Sequence, residues 1–538
     1  MTSARSIYSC WLLPVGAGVL LALAYPPFDI GQLAWLALVP LLFSTEGCRP
    51  GEAFRRGYVA GLTFFGLTLW WTIYTTEGGA PLSAALLGTV SLVAFLALYF
   101  GAAALWFAIV GTRLARTRSD VAADAVAGNL ARTIACTAGW VTLEWMRGWF
   151  LFGGFGWNGL GVSQHRVVPL IQFSSVTGVY GVSALVCFVN VALYLACRRM
   201  ARQARDPAIQ CRLSWELYAA TALVCSALAF GILEIQKRPP AQGTRTLRLA
   251  LVQGNIPQTL KFDSKEKPMI LERYRTLTER VMIMQPEMII WPESATPEPL
   301  RYDPDSFALV TNLAERASAY LLTGTLDATP HSSPIEAFNA AMLVRPDGTL
   351  GAIYRKIHLV PFGEYVPLRR VFPFIKRLTP IEDSFERGRE FTTFDLPEAR
   401  FATVICFEDT VPGLYRRFVR RGVDFMVNLT NDAWFKKSPA AEMHLANAVF
   451  RAVESHCPLV RCTNNGVTCI VNEFGFVRTH LQPFTDGSVN CELVLPASHA
   501  ITFYAEHGDI FVGVCAMFSG AMILWFAVSQ RFSLKSDA

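Results

Sequence analysis

The run Thr403-Val404-Ile405-Cys406-Phe407-Glu408-Asp409 passes without a break from apolar residues into acidic ones, which puts the Cys406 thiol at the carboxyl end of a buried strand. Ligands of α/β sheets bind outside such strand ends, and a sharp turn there aims one side chain and the next backbone N–H into the pocket. A cysteine in that place is still more often an inert core residue than a nucleophile. Two other segments have the same build. Ile289-Ile290-Trp291-Pro292-Glu293 ends an apolar run in a carboxylate, and Tyr354-Arg355-Lys356-Ile357-His358 ends one in a lysine. A carboxylate can take the proton of a thiol, an ammonium can stabilise the thiolate and later an oxyanion, and the thiolate can attack an acyl carbon. Singly, Glu293 and Lys356 read as solvated loop charges; with Cys406 they offer an acid, a base and a nucleophile.

Strands must carry these residues, and from residue 247 the pattern supplies them. Leu247 to Val252, Glu287 to Trp291 and Tyr320 to Gly324 read as strands, separated by helices over Lys265 to Gln285 and Asp305 to Ala319. A hairpin follows, Asn339 to Val344 and Leu350 to Arg355, turned by Asp347-Gly348. Then come the strand Phe401 to Cys406, a helix near Pro412 to Arg421, the strand Phe425 to Leu429, a helix over Ala440 to Ser455, and strands around Leu459 to Cys462 and Thr468 to Val471. Alternating strands and helices imply a layered α/β domain. Neither an internal repeat nor a low-complexity segment interrupts it.

The residues before about 236 belong to a different solvent. With 538 residues, 52% of them apolar, the chain is too long for one ordinary domain and too hydrophobic to be wholly water-facing. A helix crossing the hydrocarbon layer needs about 20 mostly apolar residues, a ruler that gives about eight spans. They fall at 9–25, 31–45, 57–75, 82–111, 133–150, 169–197, 215–235 and 509–529. Met1 to Pro27 lacks a clear small-residue cleavage site and reads as the first span. Arginines and lysines follow each even-numbered span: Arg49, Arg55 and Arg56; Arg113, Arg116 and Arg118; Arg198, Arg199, Arg202 and Arg205; Arg531 and Lys535. The positive-inside rule then places both termini in the cytoplasm and the α/β domain on the other side. The domains are thus 1–236 in the membrane, a Pro- and Gly-bearing linker at 237–246, the α/β domain at 247–500, and a last span and tail at 501–538. The net charge of +6 sits largely in these topology loops, so nucleic acid is excluded as a partner. Trp70, Trp71, Trp149 and Trp157 fall near span ends as interfacial indoles do, and Glu144 and Arg147, three residues apart within a span, have an ion pair within reach.

Longer motifs carry a resemblance. Trp-Pro-Glu (291–293), Tyr-x-Lys-x-His-Leu-Val-Pro-Phe-Gly-Glu-Tyr-Val-Pro (354–367), Cys-Phe-Glu-Asp (406–409) and Asn-Leu-Thr-Asn-Asp-Ala-Trp-Phe (428–435) resemble the nitrilase, or carbon-nitrogen hydrolase, superfamily. More narrowly they are similar to the apolipoprotein N-acyltransferases of Gram-negative bacteria, as are Val-Gln-Gly-Asn-Ile-Pro (252–257) and Ala-Tyr-Pro-Pro-Phe (24–28). The resemblance covers essentially the whole chain. It implies a polytopic α-helical membrane domain joined to a nitrilase-like four-layer α/β/β/α sandwich, with Glu293 as general base, Lys356 as oxyanion and thiolate stabiliser and Cys406 as nucleophile. Glu364 matches an additional active-site glutamate, Phe407 would lend a backbone N–H to the oxyanion hole, and Glu408 matches a further glutamate beside the nucleophile. Phe407 stands where tyrosine is common in the family, and Phe262 where some members have a tryptophan shaping the lipid pocket. Asn428 and Trp434 would line the substrate site. The implied reaction moves an acyl chain from a membrane phospholipid, phosphatidylethanolamine by resemblance, to the α-amino group of a diacylglyceryl-cysteine at an apolipoprotein N-terminus, without a cofactor. A flap over Phe374 to Glu390 would admit the substrates in turn.

Other readings of the same residues remain open at this point. A membrane-tethered amidase or lipid hydrolase would use the same triad, and a transporter or receptor would use the α/β domain only to bind. His358 and His444 lack metal-ligand spacing, so no metal is expected. Asn428-Leu429-Thr430 matches a glycosylation sequon but lies at a buried strand end. Of the 13 cysteines, Cys457, Cys462, Cys469 and Cys491 read as packing residues, as do Cys136, Cys187, Cys197 and Cys225 in the apolar runs.

Overall fold

The computed structural model describes residues 3–115, 122–205, 214–237, 245–329, 336–367, 384–495 and 501–536. Arg116, Arg118, the linker residues Pro239, Pro240 and Gly243, and residues 374–383 of the expected flap lie outside the described residues. The chain divides into two compact units, one of 1–70, 89–235 and 507–538, the other of 71–88 and 236–506.

Among the described residues of the second unit, twelve strands form two six-stranded sheets. β1 (Arg245–Gln253), β2 (Met288–Ile290), β3 (Tyr320–Thr329), β4 (Glu336–Val344) and β5 (Leu350–Arg355) make the first with β12 (Gly487–Leu495), in the order β12-β1-β2-β3-β4-β5. The second runs β11-β10-β9-β8-β7-β6, from β6 (Thr393–Asp395), β7 (Arg400–Ile405), β8 (Phe425–Thr430), β9 (Leu459–Thr463), β10 (Thr468–Val471) and β11 (Val477–Leu481). The centres are parallel, with Ala250 opposite Ile289 and Ile289 opposite Leu321 in one sheet and Val404 opposite Asn428 in the other. Apolar runs without alternation fit strands covered on both faces.

Helices cover the outer faces. Lys267–Met282 buries Ile270, Tyr274, Leu277, Thr278 and Val281, one stripe at helical spacing, into a core with Val252, Ile289, Trp291 and Leu321. Pro304–Ala317 starts where Asp303 accepts from the Ser306 N–H at 3.1 Å, a cap worth about 1 kcal/mol. Pro412–Val419 and Ala440–Ser455 lie with the other sheet, the second burying nearly every residue. The result is a layered α/β unit, as the alternation of strands and helices implied. Three strands were not anticipated: β6 is only three residues long, and β11 and β12 are polar edge strands with partly exposed faces, so neither alternation nor a closed apolar run marks them. The sheets are stitched by polar contacts, since Gln253 Oε1 of β1 accepts from Thr468 Oγ1 at 2.6 Å and Thr463 Oγ1 at 3.2 Å.

The first unit is helical. Among the described residues four helices are long and apolar enough to span a membrane: Leu82–Leu114, Val179–Gln203, Trp215–Gln236 and Ile510–Ser529. The other four expected spans, and the start of 169–197, take different forms; 9–25 falls in a helix, Ser3–Ala22, whose apolar stretch is short, Trp11–Ala22. Residues 31–45 split into a 3-10 turn, Gly31–Trp35, and a short helix, Val39–Thr45. Residues 57–75 fall in a helix, Pro50–Leu69, with Glu52, Arg55 and Arg56 near its start, followed by a 3-10 segment, Trp70–Gly78. Residues 133–150 end a helix, Ala122–Arg147, that carries charge along its length, and 169–197 break at Gly178, whose φ of +68° interrupts the helix. Glu144 and Arg147 form no ion pair with each other: Glu144 accepts from Trp140 Nε1 at 3.1 Å, the Leu160 N–H at 2.8 Å and Ser183 Oγ, while Arg147 donates to the Trp157 carbonyl at 2.7 Å. Trp70 and Trp149 are exposed as interfacial residues would be, but Trp71 and Trp157 are buried.

Candidate active site

Each of the three proposed chemical groups leaves a strand just where its sheet stops. β2 runs through Trp291 and Pro292 to Glu293, and the chain approaches β3 so closely that a Cβ on Gly324 would lie 2.4 Å from the Pro292 oxygen. β5 ends at Arg355 and delivers Lys356, whose N–H donates to the Asn339 carbonyl at 2.8 Å. β7 ends at Ile405, and Cys406 turns into a 3-10 segment, Cys406–Thr410, with φ of +53°. That left-handed conformation is unfavourable for a residue with a Cβ and makes a sharp elbow at the thiol.

Lys356 is the hub. Its buried Nζ donates to Glu364 Oε1 at 2.8 Å and lies 3.8 Å from Glu293 Oε1. Asn339 Nδ2 bridges the same two carboxylates, at 2.8 Å to Glu293 and 2.9 Å to Glu364. Glu364 is fixed in turn by the Val360 N–H, 2.9 Å from its Oε2. Glu293 Oε1 is therefore held, whereas Oε2 is buried with no hydrogen-bond partner among the described residues. An ionised, oriented carboxylate with one lone oxygen is what a general base requires.

Electrostatics follow from burial. Desolvation opposes the charge on Lys356, but the carboxylates of Glu364 and Glu293 outweigh it and hold the ammonium well above the ordinary lysine range. Burial raises the Glu293 carboxyl, with Lys356 opposing and Glu364 reinforcing the shift. Burial also pushes the Cys406 thiol well up, the Glu293 charge adds to this, and Lys356 counteracts it. Cys406 thus rests as a thiol, and an attack by it would require loss of that proton.

The remaining expected residues divide by position. Asn428 is fully buried in β8 and its Nδ2 donates to the Cys406 carbonyl at 3.0 Å, bracing the elbow from below. Phe407 stacks on His358 at 5.8 Å, and burial pulls that histidine down to about 4, so it is neutral at physiological pH. Phe262 is about half exposed, an open aromatic face beside a buried Lys261. Trp434 is half-buried, and Gly78 sits flat against its ring, where a Cβ would come within 1.9 Å. Among the described residues no group of His, Cys, Asp and Glu is arranged for a metal ion, and Cys457, Cys462, Cys469 and Cys491 are free thiols.

Two family models match the chain in tandem. Residues 17–192 match the apolipoprotein N-acyltransferase N-terminal domain, and residues 248–498 match carbon-nitrogen hydrolase. An apolipoprotein N-acyltransferase of Geobacter metallireducens is 34% identical over 97% of this chain and 96% of its own length. The chain belongs to the apolipoprotein N-acyltransferase family. A second member, from Chlorobaculum tepidum, is 31% identical over 98% of both chains. A CN-hydrolase superfamily protein from Xanthomonas campestris overlaps 46% of this chain and 91% of its own, at 20% identity and a TM-score of 0.36.

Within this member of the apolipoprotein N-acyltransferase family, sequence reasoning missed Asn339 and Lys261. Asn339 left a faint signal, a lone amide inside the apolar strand Phe338-Asn339-Ala340-Ala341-Met342. Lys261 left less, because a lysine beside Phe262 in a loop reads as solvated. In fact its Nζ is buried and donates to the Glu293 carbonyl at 2.8 Å, and burial pulls it down to about 8 against the charges of Glu293 and Cys406.

Glu408 is fully buried within reach of the Lys356 charge. It accepts from the Ile357, His358 and Ile405 N–H groups, each at 2.8 Å, and from Tyr354 Oη at 2.9 Å, clamping the end of β5 to the end of β7. Burial pushes it up to about 7 against the Lys356 charge and these donors. Glu408→Ala, which strands three backbone donors, is expected to cost about 3 kcal/mol of stability and to lower activity through that loss. Thermal unfolding of the detergent-solubilised variant checks this; a Tm equal to wild type would show that the clamp is dispensable.

Proposed function

We propose that this chain transfers a fatty acyl group from a membrane phospholipid, with phosphatidylethanolamine as the donor, to the α-amino group of the N-terminal S-diacylglyceryl-cysteine of apolipoproteins, the last step of lipoprotein maturation. The observation that carries the chemistry is the single unpartnered oxygen of Glu293 beside the Lys356 ammonium, with Cys406 on an elbow of the facing sheet. Glu293 takes the Cys406 proton as sulfur bonds to the ester carbonyl carbon, Lys356 and the Phe407 N–H stabilise the oxyanion, and the C–O bond breaks. The lysophospholipid leaves with the proton from Glu293. In the second half the neutral amine attacks the thioester, the C–N bond forms, the C–S bond breaks, and the proton relayed through Glu293 returns to sulfur. Glu364 orients Lys356. Phe262, Asn428 and Trp434 belong to the walls of the substrate site.

The membrane arrangement goes with this reading. About eight crossings, seven before residue 236 and one after residue 501, would hold the chain in a bacterial inner membrane with both termini cytoplasmic and residues 247–500 in the periplasm. Arginine-bearing exits of the even-numbered spans support that topology. Lipid-anchored donor and acceptor then both reach the site along the membrane surface.

The test is single-turnover labelling. Detergent-solubilised protein is mixed with acyl-labelled phosphatidylethanolamine, and the peptide holding Cys406 is weighed by mass spectrometry. A labelled thioester that is discharged by a diacylglyceryl-cysteinyl peptide is the expected result. Release of free fatty acid at the same rate with and without that peptide would instead make the protein a hydrolase.

A further inference from the structure

The turn that carries Cys406 and the turn that carries Trp434 are joined underneath by four buried charged side chains that the chemistry above does not use. His444, on the helix Ala440–Ser455, places Nε2 2.7 Å from Asp409 Oδ1 and Nδ1 3.1 Å from Asp432 Oδ1. Arg461 of β9 completes the ring, paired with Asp409 and lying 3.8 Å from Asp432. Asp409 belongs to the 3-10 turn after the nucleophile and Asp432 opens the 3-10 turn Asp432–Phe435. All four side chains are at most 2% exposed. Gly466 closes one side so tightly that a Cβ there would come 1.9 Å from Asp432 Oδ2.

Both imidazole nitrogens face carboxylate oxygens, so both must donate, and only the doubly protonated ring does so. Two carboxylates are then balanced by one guanidinium and one imidazolium, the neutral bookkeeping that a buried cluster requires. We infer that His444, as an imidazolium, is a positioning residue for acyl-enzyme formation, holding the Cys406 elbow and the Trp434 turn in register through Asp409 and Asp432. This deepens the proposed acyl transfer and rests on it. Loss of one proton leaves a nitrogen lone pair against a carboxylate, and the two turns lose their common anchor.

The pH consequence has a definite sign. Burial opposes the charge on His444, Asp409 and Asp432 favour it, Arg461 opposes it, and the balance lifts the ring to about 9. The tie is therefore intact at neutral pH and is lost as pH rises through about 9. Among the charged or ionisable groups facing the ring are Asp409, Asp432 and Arg461, and Arg461 in turn faces the thiols of Cys406 and Cys469. Lys261, pulled down to about 8 by burial against the charges of Glu293 and Cys406, titrates nearby in pH.

The experiment follows the first half-reaction alone, thioester formation on Cys406 from labelled phosphatidylethanolamine, between pH 6 and 10 at about unit steps. Wild type should lose rate on the alkaline side. Asp432→Asn, which removes one partner of the imidazolium, should move that limb to lower pH. His444→Gln should acylate about 10²-fold more slowly at pH 7, the scale of a small misplacement of reacting groups. Asp432→Asn alone decides the matter if His444→Gln does not fold. An alkaline limb at the same pH in wild type and Asp432→Asn, with thioester still formed, overturns the role of His444 and leaves acyl transfer standing. Failure of wild type to form any thioester overturns both.

Discussion

Cys406→Ala is expected to abolish thioester formation and to lower acyl transfer by about 10⁴-fold or more, the scale on which triad enzymes lose activity with their nucleophile. The α/β unit's other described cysteines are poor substitutes: Cys457, Cys462 and Cys469 are buried, Cys491 is half-buried, and burial raises each thiol. Cys406→Ser should do almost as badly. The alcohol is a far weaker acid than the thiol, and Glu293 cannot deprotonate it as readily. Neither change should unfold the protein, since Cys406 is partly exposed and the elbow is braced by Asn428 and Glu408. Circular dichroism and transfer of labelled acyl chains to a diacylglyceryl peptide measure the two effects separately. Full transfer by Cys406→Ser would turn the α/β domain into a binding module.

Glu293→Gln is expected to cost about 10³-fold in acylation, within the range for loss of general acid–base catalysis. The amide keeps the contact to Asn339 in shape but cannot accept a proton. Its pH signature is as informative as its size. Burial raises the Glu293 carboxyl, so the acylation rate of wild type should fall on the acid side at a pH above the ordinary glutamate range, as the base becomes protonated. Glu293→Gln should show no such limb. A limb that persists unchanged in the variant would assign it to another group, and Glu364 would be the first to examine because it shares Lys356.

The two views of this chain agree where a physical pattern is local and part where it is not. Strand ends at Glu293, Lys356 and Cys406 were legible because an apolar run that stops at a polar residue is a statement about both burial and direction. Nothing local announced that Asn339 would bridge two carboxylates, since its partners lie 46 and 25 residues away. Glu408 was legible as a residue beside Cys406 but not in its contacts, because two of its three backbone donors come from the distant end of β5 and only Ile405 from its own strand. His444 showed nothing in sequence beyond its lack of metal-ligand spacing, for the same reason. Its two carboxylates come from turns 35 and 12 residues earlier. In the apolar half, composition showed where helices lie but not where they break, which depends on single positions such as Gly178.

The segment Trp71–Gly78 has a bearing on how separable the parts of this protein are. It lies in the first half of the chain, yet it clusters with the sheets: Trp71 meets Phe435 edge to face at 4.5 Å, and Glu77 pairs with Lys436 at 2.8 Å. A gene fragment cut at the apparent border near residue 247 would encode every triad residue and still lack the cover over Trp434 and Phe435. Excision is thus not a neutral operation on this architecture, and swapping catalytic halves between relatives would require exchanging this early loop as well.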